Sequence, residues 1–282
     1  MIKNKFYISL ALIIILIFNF CVAFSADLKG IYLGVSTYSS PNGSCIYGDR
    51  AGAHYVYNLA DSLWRNAWVT AYLIKLNSEA NESYLKDTSL TSQADLLVYS
   101  GHGLCLSKEN AAHFFARSTG ETWHNSSMEY NDEVNARTNE VRFGRSNLKW
   151  IIMYTCNWLT NNGDQEKLEN IYKTFEGATL VMGFASTMYL DSREAVDFVK
   201  FLTGYKYSFV KAFVEAAKIY QPQRQDGQSS IVRIMGYKLA ANDSLYSFYG
   251  CRPEKEWYKN YKQGYGIIAE KVIYPSKVTV VK

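Results

Sequence analysis

The chain of 282 residues has no excess of charge of one sign: 30 Lys and Arg stand against 26 Asp and Glu, a formal net charge of +4. Its basic residues are scattered rather than blocked, and its 23 tyrosines do not interleave with them in any regular way. This pattern gives no nucleic-acid surface, and most of the aromatics read as core and rim packing. Beyond the N-terminal stretch no run is long and apolar enough to span a bilayer. The chain also lacks an internal repeat, a low-complexity tract, a His-Glu-x-x-His, a Gly-x-Ser-x-Gly and a phosphate-loop pattern. Histidine and cysteine are scarce, with 4 and 5 in the chain.

The N-terminus is where the apolar residues run together. Lys3 and Lys5 precede residues 6–24, an apolar stretch broken only by Ser9 and Asn19. This reads as a secretory signal peptide, with Ala23 and Ser25 as the small residues three and one before a cut ahead of Ala26. Phe20, just before Cys21, argues against a lipoprotein signal. An uncleaved N-terminal membrane anchor is the alternative, since the run is about as long as a span needs. Either way the rest of the chain is expected outside the cytoplasm, and loss of Lys3 and Lys5 leaves it at about +2. Cys21 leaves with the signal, so Cys45, Cys105, Cys156 and Cys251 enter an oxidising compartment where an even set normally pairs. If Cys156 stays a thiol, at most one pair forms; Cys45 with Cys251, both in Gly-containing loops, is the first to test, although spacing does not determine connectivity.

From Lys29 onward strand-like and helix-like periods alternate, which implies βαβ units and an α/β fold with a mostly parallel sheet. Strands are expected at residues 31–37, 67–76, 95–99, 150–155 and 178–184. Helices are expected where Ala53, Tyr57, Ala60, Leu63 and Trp64 recur, then at 107–117, from about 165 to 175, at 193–203 and at 208–220. A long polar connection, 104–148, has the length of a lid or binding loop. Residues 231–239 and 266–281 form a β-rich C-terminal part, with Gly264 and Gly266 marking a bend into an edge hairpin. The expected organisation is a leader at 1–25, an α/β domain at 26–225, and a β-rich extension at 226–282 packed on that domain.

Two apolar strands run straight into a reactive side chain: Leu96-Leu97-Val98-Tyr99-Ser100-Gly101-His102-Gly103 and Trp150-Ile151-Ile152-Met153-Tyr154-Thr155-Cys156. Residues just past the carboxyl end of a buried parallel strand emerge at the sheet edge where α/β proteins bind ligands. A thiol nucleophile needs its thiolate, which His102 could promote from the neighbouring strand end. Gly101 and Gly103 permit a sharp turn, and the backbone N–H groups of Gly103 and Cys156 would make an oxyanion hole. Taken alone, Cys156 would be a small buried core residue. His113 and His124 add no metal site, because His102 and Cys105 form the only close pair where structural zinc sites present two. Neither metal nor cofactor is expected. Cys105 could touch the site or form a regulatory disulfide, but a plain buried or paired cysteine is the simpler account. Asn157 either orients the imidazole or caps the helix that follows.

The Ser-Gly-His-Gly strand end, followed about fifty residues later by a strand ending in Cys, resembles the caspase, gingipain and legumain superfamily of cysteine peptidases (clan CD) over roughly residues 29–220. Leu148-Lys149-Trp150 through Cys156-Asn157-Trp158-Leu159, with Phe175-Glu176-Gly177 and Gly183-Phe184-Ala185, is similar to a mostly bacterial, uncharacterised family related to the gingipains. The resemblance implies a three-layer α/β/α sandwich. It also implies a Cys156–His102 dyad hydrolysing peptide bonds through a thioester, with His102 as general acid and a polypeptide as substrate. Asp49-Arg50-Ala51-Gly52 resembles the position from which caspases offer an arginine to an acidic side chain. Arg50 would favour acidic substrates and Asp49 basic ones, while an ordinary helix start explains the same residues. The caspase signature around the cysteine is absent, Asn157 and Trp158 following it instead. An inactive binding module of the same fold, and a dyad acting on another acyl substrate, are the competing readings.

Overall fold

A computed structural model describes residues 28–36, 51–105, 111–114, 135–138, 140–143, 147–223, 227–248 and 264–276. The chain runs through β1 (Lys29–Gly34), α1 (Gly52–Ala67), β2 (Thr70–Leu76) and two single-turn helices, α2 (Ser83–Lys86) and α3 (Thr88–Thr91). There follow β3 (Leu96–Ser100), β4 (Gly103–Cys105), β5 (Ala111–Phe114), β6 (Asn135–Arg137) and β7 (Trp150–Tyr154). The remainder is α4 (Gln165–Lys173), β8 (Leu180–Phe184), α5 (Arg193–Thr203), α6 (Phe209–Tyr220), β9 (Ser230–Tyr237) and β10 (Tyr265–Ile273).

Every residue of β3, β7 and β8 is buried, as their unbroken apolar character requires of strands covered on both faces. They lie inside a seven-stranded sheet of order β10-β9-β8-β7-β3-β1-β2, parallel from β8 to β2. The two-residue period of a strand sends alternate side chains to opposite cores. Leu97, Tyr99, Ile151, Met153 and Val181 face one core, closed by Ile171 and Tyr172 of α4 with Phe143, Trp158 and Phe175. Leu96, Val98, Trp150, Ile152, Tyr154 and Met182 face the other, closed by apolar stripes of α1, α5 and α6. The result is the three-layer α/β sandwich.

Helix ends follow from local chemistry. Asp164 accepts the Glu166 and Lys167 amides at the start of α4, and Ser208 accepts the Lys211 amide at the start of α6. The sequence expectation at 107–117 is corrected: Ala111–Phe114 is a strand, not a helix. It pairs antiparallel with β4 on one side and β6 on the other, and these ladders satisfy the backbone groups that a helix would have bonded internally.

The C-terminal strands extend the main sheet, β9 pairing antiparallel with β8 and β10 with β9. Gly236 makes this contact close. Its φ is +152°, and a Cβ there would lie 2.1 Å from the Thr179 carbonyl oxygen. Gly236→Ala is therefore expected to cost about 3 kcal/mol through backbone strain and displacement of β9. Urea denaturation measures it, and an unchanged midpoint would show that the two strands can separate freely at this point.

Candidate active site

The placement of His102 and Cys156 follows from strand register. β3 and β7 pair in parallel from Leu96 with Trp150 to Ser100 with Tyr154. His102 and Cys156 each lie two residues beyond the last matched pair, on neighbouring strands that run about 4.8 Å apart. Past Ser100 the chain turns through Gly101 and His102 into β4. Past Tyr154 it enters a series of turns anchored by the buried Trp158 and Leu159. Both His102 and Cys156 are partly exposed.

Gly103 is where the two strand ends touch. A Cβ on it would fall 2.3 Å from the Cys156 carbonyl oxygen and 2.4 Å from Thr155 Oγ1. Only a glycine lets the histidine-bearing segment approach the cysteine-bearing one this closely. The buried Tyr99 hydroxyl donates to the His102 carbonyl at 3.2 Å and fixes the backbone of the turn from below. The Val35 amide donates to the Ser100 carbonyl at 2.9 Å, tying the end of β1 to the same edge. Gly52, at the start of α1, packs there as well, since a Cβ would lie 2.3 Å from the Val35 carbonyl oxygen. Thus His102, Gly103 and Cys156 share one sheet edge with the start of α1.

Cys156 carries a thiol rather than half of a disulfide. Its sulfur accepts the Met188 backbone N–H at 3.4 Å, from the loop after β8. A donor aimed at sulfur favours the thiolate over the thiol. Asn157 has φ +61° and its amide donates to the Ser186 carbonyl at 3.0 Å. This corrects one expectation. Asn157 does not cap the next helix, a task performed by Asp164; it makes a left-handed turn, a conformation Asn tolerates better than most residues.

Asp49 and Arg50 lie outside the described residues, as do Cys45, Cys251 and His124. Cys105 and His113 fall on β4 and β5, with Gly103 opposite His113 in the ladder. The small antiparallel sheet therefore starts directly at the histidine turn.

A polar cluster that the sequence did not announce gathers at Tyr154, the last residue of β7, two residues before Cys156. The Tyr154 hydroxyl donates to Glu194 Oε2 at 2.5 Å, and Gln221 Nε2 donates to the same oxygen at 2.9 Å. Tyr55 of α1 stacks on Tyr154 with ring centroids 3.7 Å apart. Burial pushes the Glu194 carboxyl up to about 8; the Tyr154 and Gln221 hydrogen bonds oppose this, and the Asp191 charge adds to it. Burial also raises the Tyr154 and Tyr55 phenols, with the Glu194 charge contributing to each. Ser100 Oγ, Thr155 Oγ1, Tyr55 Oη and Glu194 Oε1 are buried without a hydrogen-bond partner among the described residues. Such groups concentrate where structure serves function rather than stability. One signal was legible: Glu194, Phe198 and Leu202 recur every four residues, which puts a carboxyl on the apolar stripe of α5.

A family profile described as a domain of unknown function (DUF6345) matches residues 34–260. No curated protein matches the chain. Among solved structures, a secreted C11 cysteine protease from Bacteroides thetaiotaomicron, in complex with an irreversible peptide inhibitor, is similar at a TM-score of 0.41 and 8% identity. That match covers 86% of this chain and 84% of the other. An inactive zymogen C11 protease from Parabacteroides distasonis is similar at a TM-score of 0.36 and 9% identity, covering 87% of this chain and 84% of the other.

Proposed function

Since this chain belongs to the DUF6345 family, a domain of unknown function, its chemistry has to be argued from its own site, and we propose that it is an exported cysteine peptidase with Cys156 as nucleophile and His102 as proton carrier. The observation that carries the reading is the contact of Gly103 with the Cys156 carbonyl at the matched ends of β3 and β7. It brings a histidine-bearing and a thiol-bearing segment together at the carboxyl edge of a parallel sheet.

In the proposed reaction the Cys156 thiolate attacks the peptide carbonyl carbon. A C–S bond forms and the carbonyl electron pair moves to oxygen, where the Gly103 and Cys156 N–H groups receive it. Collapse breaks the C–N bond, the His102 imidazolium protonates the departing amine, and a thioester remains. His102 then takes a proton from water, whose oxygen attacks the thioester carbon; the C–S bond breaks, the acid leaves, and the Cys156 thiolate and His102 imidazolium are restored. The substrate is a polypeptide; Arg50 would select an acidic side chain and Asp49 a basic one. Removal of residues 1–25 releases the enzyme from the membrane, and their retention would tether it by an N-terminal anchor.

The test is irreversible labelling by thiol-directed peptide inhibitors carrying acidic, basic or apolar side chains. At least one should form a single adduct on Cys156, found by mass mapping, with none in Cys156→Ala. His102→Ala is expected to slow labelling about 10²-fold. Absence of an adduct on Cys156 across all three classes, with circular dichroism unchanged, would overturn the peptidase reading in favour of a binding module.

A further inference from the structure

We propose that Gln221 is a positioning residue for Cys156: by clamping the backbone of Tyr189 it keeps the Met188 N–H on the sulfur, an inference that rests on the reading of Cys156 as nucleophile. Gln221 opens the short 3-10 turn Gln221–Gln223 immediately after α6 and is fully buried. Its Oε1 accepts the Tyr189 N–H at 2.8 Å and the Ser230 hydroxyl at 3.1 Å. Its Nε2 donates to the Tyr189 carbonyl at 2.9 Å and to Glu194 Oε2 at 2.9 Å. A backbone N–H only donates and a carbonyl only accepts, so the amide has one possible orientation. One side chain thus holds both backbone groups of the residue that follows Met188.

The remaining restraints converge on the same loop. The Tyr154 hydroxyl reaches the Tyr189 carbonyl at 3.3 Å, and the Asn157 amide reaches the Ser186 carbonyl at 3.0 Å. The Ile231 amide donates to Ser186 Oγ at 2.8 Å, linking the loop to β9. The nucleophile's own strand, the turn after α6 and the start of β9 therefore set where Met188 points. An N–H directed at sulfur stabilises the thiolate, so loosening Tyr189 should raise the pH at which Cys156 becomes reactive. Titratable and charged groups around this junction are Tyr154 on β7, Tyr55 on α1, Glu194 with the Arg193–Asp191 pair at the start of α5, and His102 past β3.

Iodoacetamide alkylation of Cys156, followed against pH by mass mapping of its peptide, tests the clamp without requiring peptide turnover. Gln221→Leu should move the midpoint up by about one pH unit and slow alkylation about tenfold at pH 7. Ser230→Ala, which frees one acceptor bond of Gln221 and keeps the rest, should slow it about threefold, and it decides the matter if the leucine variant does not fold. Gln223→Ala, in the same turn but outside the clamp, should leave the profile unchanged. Wild-type profiles in the folded Gln221 and Ser230 variants would overturn the proposal. A shifted midpoint in a chain that no peptide inhibitor labels would sink the peptidase reading and leave the positioning role standing.

Discussion

Raising the pH from 5 to 8 is expected to lower the stability of this protein by an amount on the order of 4 kcal/mol, and Glu194→Gln to remove most of that fall. Glu194 is fully buried, and burial, opposed by the Tyr154 and Gln221 hydrogen bonds and reinforced by Asp191, lifts its carboxyl from 4.5 to about 8. Between those values the unfolded chain has released this proton and the folded chain still holds it. The folded state binds more protons, so stability falls as pH rises; the contribution is complete below the unfolded value and is lost as pH passes through the folded one. Each unit of difference is worth about 1.4 kcal/mol. The other shifted carboxyls, Asp87 and Asp191, are lowered, so their effects lie on the acid side of this window. A glutamine amide at 194 still accepts from Tyr154 and Gln221 but has no proton to lose. Urea denaturation at pH 5, 6.5 and 8 measures the difference, and parallel pH dependence in wild type and Glu194→Gln would contradict the assignment.

Gly103→Ala is expected to slow peptide-inhibitor labelling of Cys156 about 10²-fold while the chain still folds. The added methyl would lie 2.3 Å from the Cys156 carbonyl oxygen and 2.4 Å from Thr155 Oγ1, so the two strand ends must part by roughly 1 Å to restore ordinary contact. A displacement of that size between nucleophile and proton carrier disrupts near-attack geometry. Thr155→Ala in the same chain removes one of the two clashes; the other is with backbone and remains, so recovery should be partial. Iodoacetamide, which needs only an accessible thiolate, should lose less than the peptide inhibitors. Wild-type labelling in Gly103→Ala would show that the segments can slide apart at no cost to the site.

Much of this architecture was legible because continuous apolar runs have few places to go. The unbroken runs ending at Ser100 and Tyr154 read as strands covered on both faces and are so, and the helix expected at residues 193–203 matches the bounds of α5. The helix expected at 107–117 is not found because the described strands of this connection are three or four residues long and owe their form to partners elsewhere in the chain. Ala111, Ala112, His113 and Phe114 favour a helix locally, and pairing with β4 and β6 overrides that weak preference. Asn157 was misassigned for a related reason: an Asn before a helix looks like a cap, and only the course of the chain shows that helix beginning eight residues later.

The site divides in the same way. That a histidine and a thiol stand at matching strand ends follows from sequence alone, because strand length and apolar continuity determine where each run must stop. That Gly103 presses on Cys156, that Met188 reaches its sulfur, and that Gln221 and Glu194 brace the loop behind it were decided by the tertiary structure. Those contacts join the ends of β3 and β7, the loop after β8, α5 and the turn after α6, and within the same cluster Tyr154 and Gln221 meet from 67 positions apart in the chain. Periodicity reports which face of an element is buried; which polar atoms then meet is determined by register and by the requirement that buried polar groups find partners.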